Sequence, residues 1–196
     1  MNYDLDSFIH GQITSKVWLC QELEKYCKLD DNVYILGGWH NVLGFMLSVR
    51  NPNFYKKIHN IDIDAQAIVQ ADKICNTWIN ELYTNSHIIN TCGDCNNYDF
   101  QLDPTRDVVV STSSEHFENN NWFSKMPSNT LVCIQTANVV TKNSDEDEIW
   151  KIKQANPDLT TFKNRFPMKE YLYEGTKKIH YPTLEYDRYM IIGRTI

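Results

Sequence analysis

Short β-rich runs alternate with helical apolar periods along the first two thirds of this chain. Apolar positions at helical spacing predict an amphipathic helix from about Ser15 to Lys28. The run Val33–Leu36 predicts a buried strand that ends at two glycines, and a helical pattern through Phe45–Val49 follows it. A second unit comes next, in which a strand over Ile58–Asp64 leads into a helix that Asp64 can cap.

Three further strands are predicted, over His87–Thr91, Asp107–Thr112 and Asn129–Thr136, with a short helix around Trp122–Lys125 before the last of them. The strand over Asp107–Thr112 has the clearest pattern, because a β-branched run indicates burial on both faces. The alternation of strands and helices predicts an α/β domain built on a parallel, doubly wound sheet.

The last third of the chain departs from this alternation. A polar stretch over 141–167 contains the acidic run Asp145–Glu148, which indicates a solvated face or a lid over a binding site. A short helix is predicted around Ile149–Gln154. The strand-like segments Lys169–Glu174 and Asp187–Gly193 then predict an antiparallel pair that closes one edge of the sheet.

Length and composition limit the function classes. The 196 residues suit one core, so the chain is predicted to be a single domain over 1–196. The net charge of -6 argues against duplex nucleic acid as a partner, since binding it depends on Lys and Arg. No apolar run reaches membrane-spanning length and the first residues lack a signal-peptide pattern, so we expect a cytoplasmic protein that does not enter a membrane.

Six cysteines in such a chain are expected to be reduced thiols. Cys92 and Cys95 have the spacing of half a zinc site, but no second pair follows at a matching interval. We therefore predict no metal site.

The strand that ends at Gly37 and Gly38 offers the first candidate for ligand binding. A strand, a glycine turn and a helix form the opening unit of nucleotide-binding α/β domains, because glycine lets a ligand approach the backbone. The same two residues are also compatible with a simple tight turn. About twenty residues later, Asp62 and Asp64 end the second strand, where a carboxylate suits the hydroxyl groups of a ribose. Either acid fits this role.

The order of these motifs resembles that of the class I S-adenosylmethionine (SAM) methyltransferases. Leu36–Trp39 stands at the glycine-rich first motif, Asp62 at the ribose-binding acid and Asp94 near the adenine amino group, while Ser111–His116 matches a polar motif after strand four. The resemblance implies a Rossmann-like sheet of seven strands in the order 3-2-1-4-5-7-6 with an antiparallel last strand. It also implies SAM as the cofactor, bound by Gly37, Gly38, Trp39, Asp62, Asp94 and Ser111.

A narrower resemblance links the chain to small phage and bacterial methyltransferase-like proteins, through Gly37–Trp39, Ser114–His116, Gln135–Asn138 and Arg188–Gly193. The sequence departs from the superfamily pattern at three positions of the first motif. Ile35 replaces the usual acid, and Trp39 and Asn41 replace the second and third glycines. The Asn-Pro-Pro-Tyr motif of amino-methylating DNA enzymes is not found after strand four.

In the implied sheet, strands one and four are neighbours, so His40 and the Glu115–His116 pair are expected on opposite sides of one crevice. We predict that Glu115 and His116 act as acid or base on the methyl acceptor, and that His40 and Ser114 contact it. Each residue also has a structural alternative. Glu115 suits a helix cap or an ion pair, His116 a backbone hydrogen bond and His40 a surface position, and Trp39 is either a ligand wall or a core plug.

The predicted function is methyl transfer from SAM to an unidentified small-molecule or biopolymer acceptor, with S-adenosylhomocysteine (SAH) as the product ligand. Two alternatives remain open. One is another enzyme on the same fold, such as a SAM-using transferase or lyase. An NAD-dependent oxidoreductase also belongs to this class, but the lack of G-x-G-x-x-G disfavours it. The other is a non-catalytic binding protein that keeps the fold.

Overall fold

A seven-stranded mixed sheet forms the centre of the molecule in a computed structural model, which describes residues 5–79, 87–138, 152–180 and 185–196. The strands are β1 (Asp31–Leu36), β2 (Tyr55–Asp62), β3 (His87–Cys92), β4 (Asp107–Ser111), β5 (Leu131–Ala137), β6 (Met168–His180) and β7 (Glu185–Thr195). Their order is β3-β2-β1-β4-β5-β7-β6, and β7 runs antiparallel to both of its neighbours. The predicted fold class and strand order are confirmed.

Helices cover both faces of this sheet, as in a doubly wound fold. They are α1 (His10–Leu23), α2 (Val42–Arg50), α3 (Ala65–Ile79), α4 (Asn121–Ser124) and α5 (Leu159–Arg165), with 3-10 turns at Leu5–Phe8 and Ser114–His116. Apolar residues of α1 and α2 pack with one face of the sheet, including Leu19, Leu43 and Leu47. Trp122, Phe162 and Phe166 from α4 and the α5 region pack with the other face. All residues of β4 and β5 are buried, which explains their continuous apolar runs.

Helix α1 begins and ends about five residues earlier than predicted, at His10 and Leu23 instead of Ser15 and Lys28. Its buried residues include Ser15 and Lys16 as well as apolar side chains. The early turns contribute Gln12 and Lys16 to the wall of the cavity described below, and therefore carry no apolar period. The segment after Leu23 is a turn, in which Tyr26 N donates to Leu23 O over 3.0 Å.

The second unit is close to its prediction. Strand β2 begins at Tyr55 and ends at Asp62, earlier than the predicted Ile58–Asp64. It ends there because Asp62 Oδ1 accepts a hydrogen bond from the Asp64 backbone, and Asp64 then caps α3. Asp64 Oδ1 accepts from the backbone N–H groups of Gln66 and Ala67, so the predicted cap is confirmed.

The polar stretch over 141–167 lies partly outside the described residues, including the acidic run 145–148. Of the helix predicted at 149–154, only 152–154 is described, and it is not helical. Helix α5 was not predicted. It begins where Asp158 accepts from Thr161 N, and the fully buried Phe162 and Phe166 anchor it. The described part of the candidate lid thus packs against the sheet.

Strands β6 and β7 form the predicted antiparallel pair and are longer than the segments 169–174 and 187–193. Strand β6 is one of the two edges of the sheet, and charged residues such as Lys169, Glu174 and Lys178 lie along it. Charged edge positions disfavour pairing with another chain. Strand β7 lies inside the sheet and is buried from Arg188 to Gly193.

Within the described residues, 5–79, 87–138, 152–180 and 185–196, no helix is long and apolar enough to cross a membrane.

Candidate ligand-binding site

The glycine elbow after β1 holds three residues in the left-handed backbone region. Gly37 has a φ of 62°, Trp39 one of 51° and Asn41 one of 53°. Asn41 Oδ1 also accepts from Gly44 N over 3.1 Å and so caps α2. The backbone at Gly38 packs closely, because a Cβ there would lie 2.2 Å from Asn60 Oδ1. The two positions at which Trp39 and Asn41 replace glycines therefore keep a backbone conformation that favours glycine.

Asp62 fixes this elbow to the end of β2. Its Oδ2 accepts from Trp39 N over 2.7 Å, and its Oδ1 accepts from Asp64 N over 2.9 Å. Burial raises the pKa of Asp62 above its ordinary value, although the two backbone hydrogen bonds act to lower it. Asp64 is exposed and caps α3, whereas Asp62 lines the cavity beside the elbow. The geometry thus favours Asp62 over Asp64 as a ligand-binding acid.

A cavity of about 810 Å³ opens at the carboxyl ends of the parallel strands, the edge at which open α/β sheets bind ligands. Six of the ten predicted site residues line it: Gly37, Gly38, Trp39, Asp62, Asp94 and His116. Asp94 is held in place because its carboxylate accepts from Asn96 N and Asn97 Nδ2. Such a volume suits a ligand the size of a nucleoside with a substituent.

The other four predicted residues do not line the cavity. His40 is buried, its Nδ1 lies 2.9 Å from Ser7 Oγ, and its ring stacks on Trp39 at 4.4 Å. Ser111 and Ser114 are fully buried, and Ser114 Oγ donates to Gln135 O. The expected contacts of His40, Ser111 and Ser114 with a ligand stay predictions. In the structure, the side chains of His40 and Ser114 contact other protein groups.

Glu115 is the fourth of these residues and forms a buried ion pair. Its Oε1 lies 3.2 Å from Arg188 Nη1, and both side chains are 5% exposed. Arg188 also donates to Thr112 O, which joins β7 to the end of β4. The Glu115 carbonyl accepts from Lys153 N and Gln154 N, so this residue also holds the chain segment that precedes α5. The structure therefore shows Glu115 in the ion pair that was its structural alternative.

His116 differs from Glu115, although the two are adjacent. Its side chain is 40% exposed and lines the cavity, with Nε2 3.9 Å from Glu115 Oε1. The 3-10 turn Ser114–His116 produces this separation, since Ser113 O accepts from His116 N and turns successive side chains in different directions. Of the predicted acid–base pair, the imidazole of His116 thus lines the cavity and the carboxylate of Glu115 does not.

Sequence reasoning missed the cavity residues that come from α1 and from the segment before α5. Gln12 and Lys16 of α1, Ser7 before it and Lys153 all line the cavity. Lys16 is 6% exposed, and its Nζ donates to Gln12 Oε1 over 2.7 Å. The spacing of Gln12 and Lys16 by four positions on a helix was the available signal, because such residues lie on one face.

Cys95 also lines the cavity, and burial raises the pKa of its thiol to about 12. The thiol is therefore protonated at neutral pH and is a weak nucleophile there. Cys92 is exposed, and its Sγ donates to Ile63 O.

No protein-family model matches the chain, and no curated protein matches it by sequence. Solved structures do match its fold. The N-methyltransferase NodS from Bradyrhizobium japonicum is 12% identical with a TM-score of 0.62, and the match covers 97% of this chain and 99% of that one. A SAM-dependent methyltransferase from Methanosarcina mazei is 11% identical with a TM-score of 0.66, covering 89% and 97%.

A third structure is geranyl diphosphate C-methyltransferase from Streptomyces coelicolor, solved with SAH, at 9% identity and a TM-score of 0.65. This match covers 94% of the present chain and 78% of the enzyme. The chain therefore has the Rossmann-like fold of SAM-dependent methyltransferases, which its strand order also shows.

Proposed function

We propose that this protein is a SAM-dependent methyltransferase that acts on a small-molecule or modest biopolymer acceptor. The observation that carries the proposal is the position of Asp62, which lines the cavity beside the glycine elbow. Three structures that share the fold are methyltransferases, and one of them was solved with SAH. The assignments to the phage and bacterial group and to the cytoplasm stay predictions from the sequence.

The residues present fit SAM in its adenosine half. Asp62 accepts two backbone hydrogen bonds, and its carboxylate oxygens have further acceptor capacity for the two ribose hydroxyls. Close packing of Gly38 against Asn60 leaves no room for a side chain there, and Gly38 itself lines the cavity. Asp94 lies beyond the end of β3, on the side where the resemblance puts the adenine. When bound, SAM would supply an electrophilic methyl group.

The chain's own task in such a reaction is to orient the acceptor and to exclude water, since a methyl group is transferred by in-line displacement. His116 is the described acid–base candidate that lines the cavity and comes from the end of β4. In the proposed role, its imidazole accepts the proton that the acceptor nucleophile loses. Glu115 serves as a positioning residue, because its carboxylate pairs with Arg188 and its carbonyl holds the segment beside Lys153.

A second candidate function is that of a SAM-fold binding protein without catalysis. It is favoured by Trp39, whose side chain takes a glycine position of the first motif and lines the cavity. Such a protein would bind SAH and transfer no methyl group to any acceptor. Another SAM-using transferase or lyase would share the binding result and differ in the bond that breaks.

The test of the proposal is calorimetric titration of SAH into the wild type and two matched variants. Asp62→Asn should lower SAH affinity at least tenfold, because a hydrogen bond from a hydroxyl to a carboxylate is stronger than one to an amide. Asp64→Asn should stay within about twofold of the wild type, since asparagine caps a helix as well as aspartate does. Circular dichroism checks that both variants are folded.

The proposal is contradicted if the wild type shows no SAH binding at millimolar concentration. If Asp64→Asn loses affinity while Asp62→Asn keeps it, the proposed function stands and the ribose role passes to the other acid of the pair.

A further inference from the structure

Three asparagines and one aspartate form a hydrogen-bonded chain from α3 to the glycine elbow, which we call the amide relay. Asn41 belongs to the elbow, Asn60 to β2, Asn90 to β3 and Asp72 to α3. Asn60 and Asn90 are register partners in the parallel pair of β2 and β3, so their side chains lie on the same face of the sheet. Asn41 and Asn60 are fully buried.

The direction of the hydrogen bonds in the relay is set at Asp72. Asn90 Nδ2 donates to Asp72 Oδ1 over 2.8 Å. Because a carboxylate only accepts hydrogen bonds, the amide nitrogen of Asn90 faces Asp72 and its amide oxygen faces the other asparagines. That oxygen accepts from Asn41 Nδ2 over 2.9 Å and from Asn60 Nδ2 over 3.3 Å. The carboxylate on α3 thus makes Asn90 an acceptor for both buried amides.

The two buried amides in turn hold the elbow backbone. Asn41 Oδ1 accepts from Gly44 N at the start of α2, and Asn60 Nδ2 also donates to Trp39 O over 3.2 Å. Trp39 and Asn41 both have positive φ angles, and they stand where the first motif usually has glycines. The relay therefore reaches both positions at which the elbow holds a left-handed conformation without glycine.

We propose that Asp72 is a positioning residue for the ligand-binding elbow and that it acts through Asn90. The inference rests on the proposed function for the identity of the ligand, whereas the effect on the elbow requires no ligand. Asp72 does not line the cavity, but Trp39 and Asp62 do, and Asp62 Oδ2 accepts from Trp39 N. A change in the direction of the relay would release Trp39 O and shift the peptide that Asp62 contacts.

The decisive variant is Asp72→Lys, which replaces the acceptor by a donor. A lysine favours the inverted amide of Asn90, whose nitrogen would then face the nitrogens of Asn41 and Asn60. Asn90→Asp, added to Asp72→Lys, should restore the elbow. A carboxylate at this position has no donor end and accepts from both amides whichever residue lies on α3. Asp99→Lys is the matched control, since Asp99 is exposed and does not line the cavity.

The first experiment observes the elbow without any ligand. The protein is labelled with 5-fluorotryptophan, and the fluorine NMR signal of Trp39 is assigned by its loss in Trp39→Phe. We expect this signal to shift or broaden in Asp72→Lys, to return in the double variant and to stay in place in Asp99→Lys. The signal of Trp122, which is buried in the core on the other face of the sheet, should stay unchanged and reports that the fold is intact.

The second experiment is calorimetric titration with SAH. Asp72→Lys should lower the affinity at least fivefold, whereas Asp99→Lys and the double variant should stay within about twofold of the wild type. Asp72→Asn should also stay within about twofold, because its side chain keeps an oxygen that can accept from Asn90. If Asp72→Lys does not fold, Asp72→Leu replaces it, since leucine removes the acceptor without adding a charge. The same loss and the same recovery with Asn90→Asp are expected.

The proposal is overturned if Asp72→Lys leaves either the Trp39 signal or the SAH affinity at the value of Asp99→Lys. It is also overturned if Asn90→Asp restores neither, because Asp72 would then act by a route other than Asn90. Failure of the proposed function has a different signature. The wild type would then bind no SAH, and the fluorine signal of Trp39 alone would decide whether Asp72 positions the elbow.

Discussion

At Trp39, the backbone conformation is one that a bulky side chain adopts only at a cost, about 1–2 kcal/mol in the left-handed region. One hydrogen bond holds each of the two peptide groups that flank the Trp39 Cα. Asp62 Oδ2 accepts from Trp39 N, and Asn60 Nδ2 donates to Trp39 O over 3.2 Å. The ring also stacks on His40 with an interplanar angle of 18°. The elbow therefore keeps its shape without two of its usual glycines because side chains of β2 hold its backbone.

A buried histidine on β2 predicts a dependence of stability on pH. Burial lowers the pKa of His59 to about 4, with the charge of Lys57 acting in the same direction. One ring nitrogen, Nε2, lies 2.8 Å from Thr91 Oγ1. Because the folded pKa is below the ordinary value of about 6.5, the unfolded chain binds the proton first. The contribution of neutral His59 to the free energy of unfolding is complete above about pH 6.5 and is lost as pH falls towards about 4.

The measurement is urea unfolding at pH 7 and at pH 4.5. The free energy of unfolding should fall more in the wild type than in His59→Gln, by up to roughly 3 kcal/mol, given about 1.4 kcal/mol for each pKa unit. His180→Gln removes an exposed histidine of β6 and should follow the wild type. Parallel pH profiles of the wild type and His59→Gln would refute the neutral, buried state.

At the scale of elements, the Glu115–Arg188 pair connects β7 with the turn after β4. Arg188→Met leaves the Glu115 carboxylate buried without its cation, and Glu115 Oε2 has no hydrogen-bond partner within the described residues. We expect a loss of about 3 kcal/mol or more in the free energy of unfolding, since an uncompensated buried charge is costly. The double variant Glu115→Gln with Arg188→Met should recover more than about 1 kcal/mol of it.

Urea unfolding of both single variants and of the double variant forms the thermodynamic cycle. A loss below about 1 kcal/mol for Arg188→Met would mean that water already stabilises this carboxylate, and the positioning role of Glu115 would be withdrawn. Equal losses in the single and double variants would assign the effect to the Arg188 bond with Thr112 O instead.

Some elements could be predicted from the sequence and others could not. Strands β1, β4 and β5 are contiguous apolar runs, and the acid that ends β2 is readable from its position. The start of α1 was missed because Gln12 lies at the cavity wall, so the first turn carries no apolar period. Helix α5 was missed because its two anchoring rings, Phe162 and Phe166, lie in a mostly polar stretch.

The placement of Glu115 could not be predicted from the sequence for a different reason. Its partner Arg188 is 73 positions away in the chain, and no local pattern reports a pair that only the completed sheet brings together. A local motif predicted that this segment lies at the crevice, whereas the direction of each side chain depends on the 3-10 turn. Sequence reasoning therefore predicted several residues that line this cavity, but not the directions in which the side chains of Glu115 and His116 point.

For the whole molecule, ligand binding should appear as thermal stabilisation. SAH at a hundredfold excess over its dissociation constant adds about 2.7 kcal/mol to the free energy of unfolding. For a chain of this size, that corresponds to a rise of roughly 5–10 °C in Tm. Differential scanning fluorimetry measures this rise in Tm with SAH, and with NAD at the same concentration for comparison. The Asp62→Asn variant should show a smaller rise with SAH. Stabilisation by NAD and not by SAH would favour the oxidoreductase alternative.

The position of β7 also has a consequence for the time course of folding during synthesis. Strand β7 is the last of the seven to leave the ribosome, yet it lies between β5 and β6. Until it inserts, the edge of β5 is unpaired and β6 has no neighbour in the sheet. Unpaired apolar strand edges attract other chains, so the nascent protein is exposed to aggregation during this interval. The strands that carry Asp62 and the elbow can pair before that interval ends.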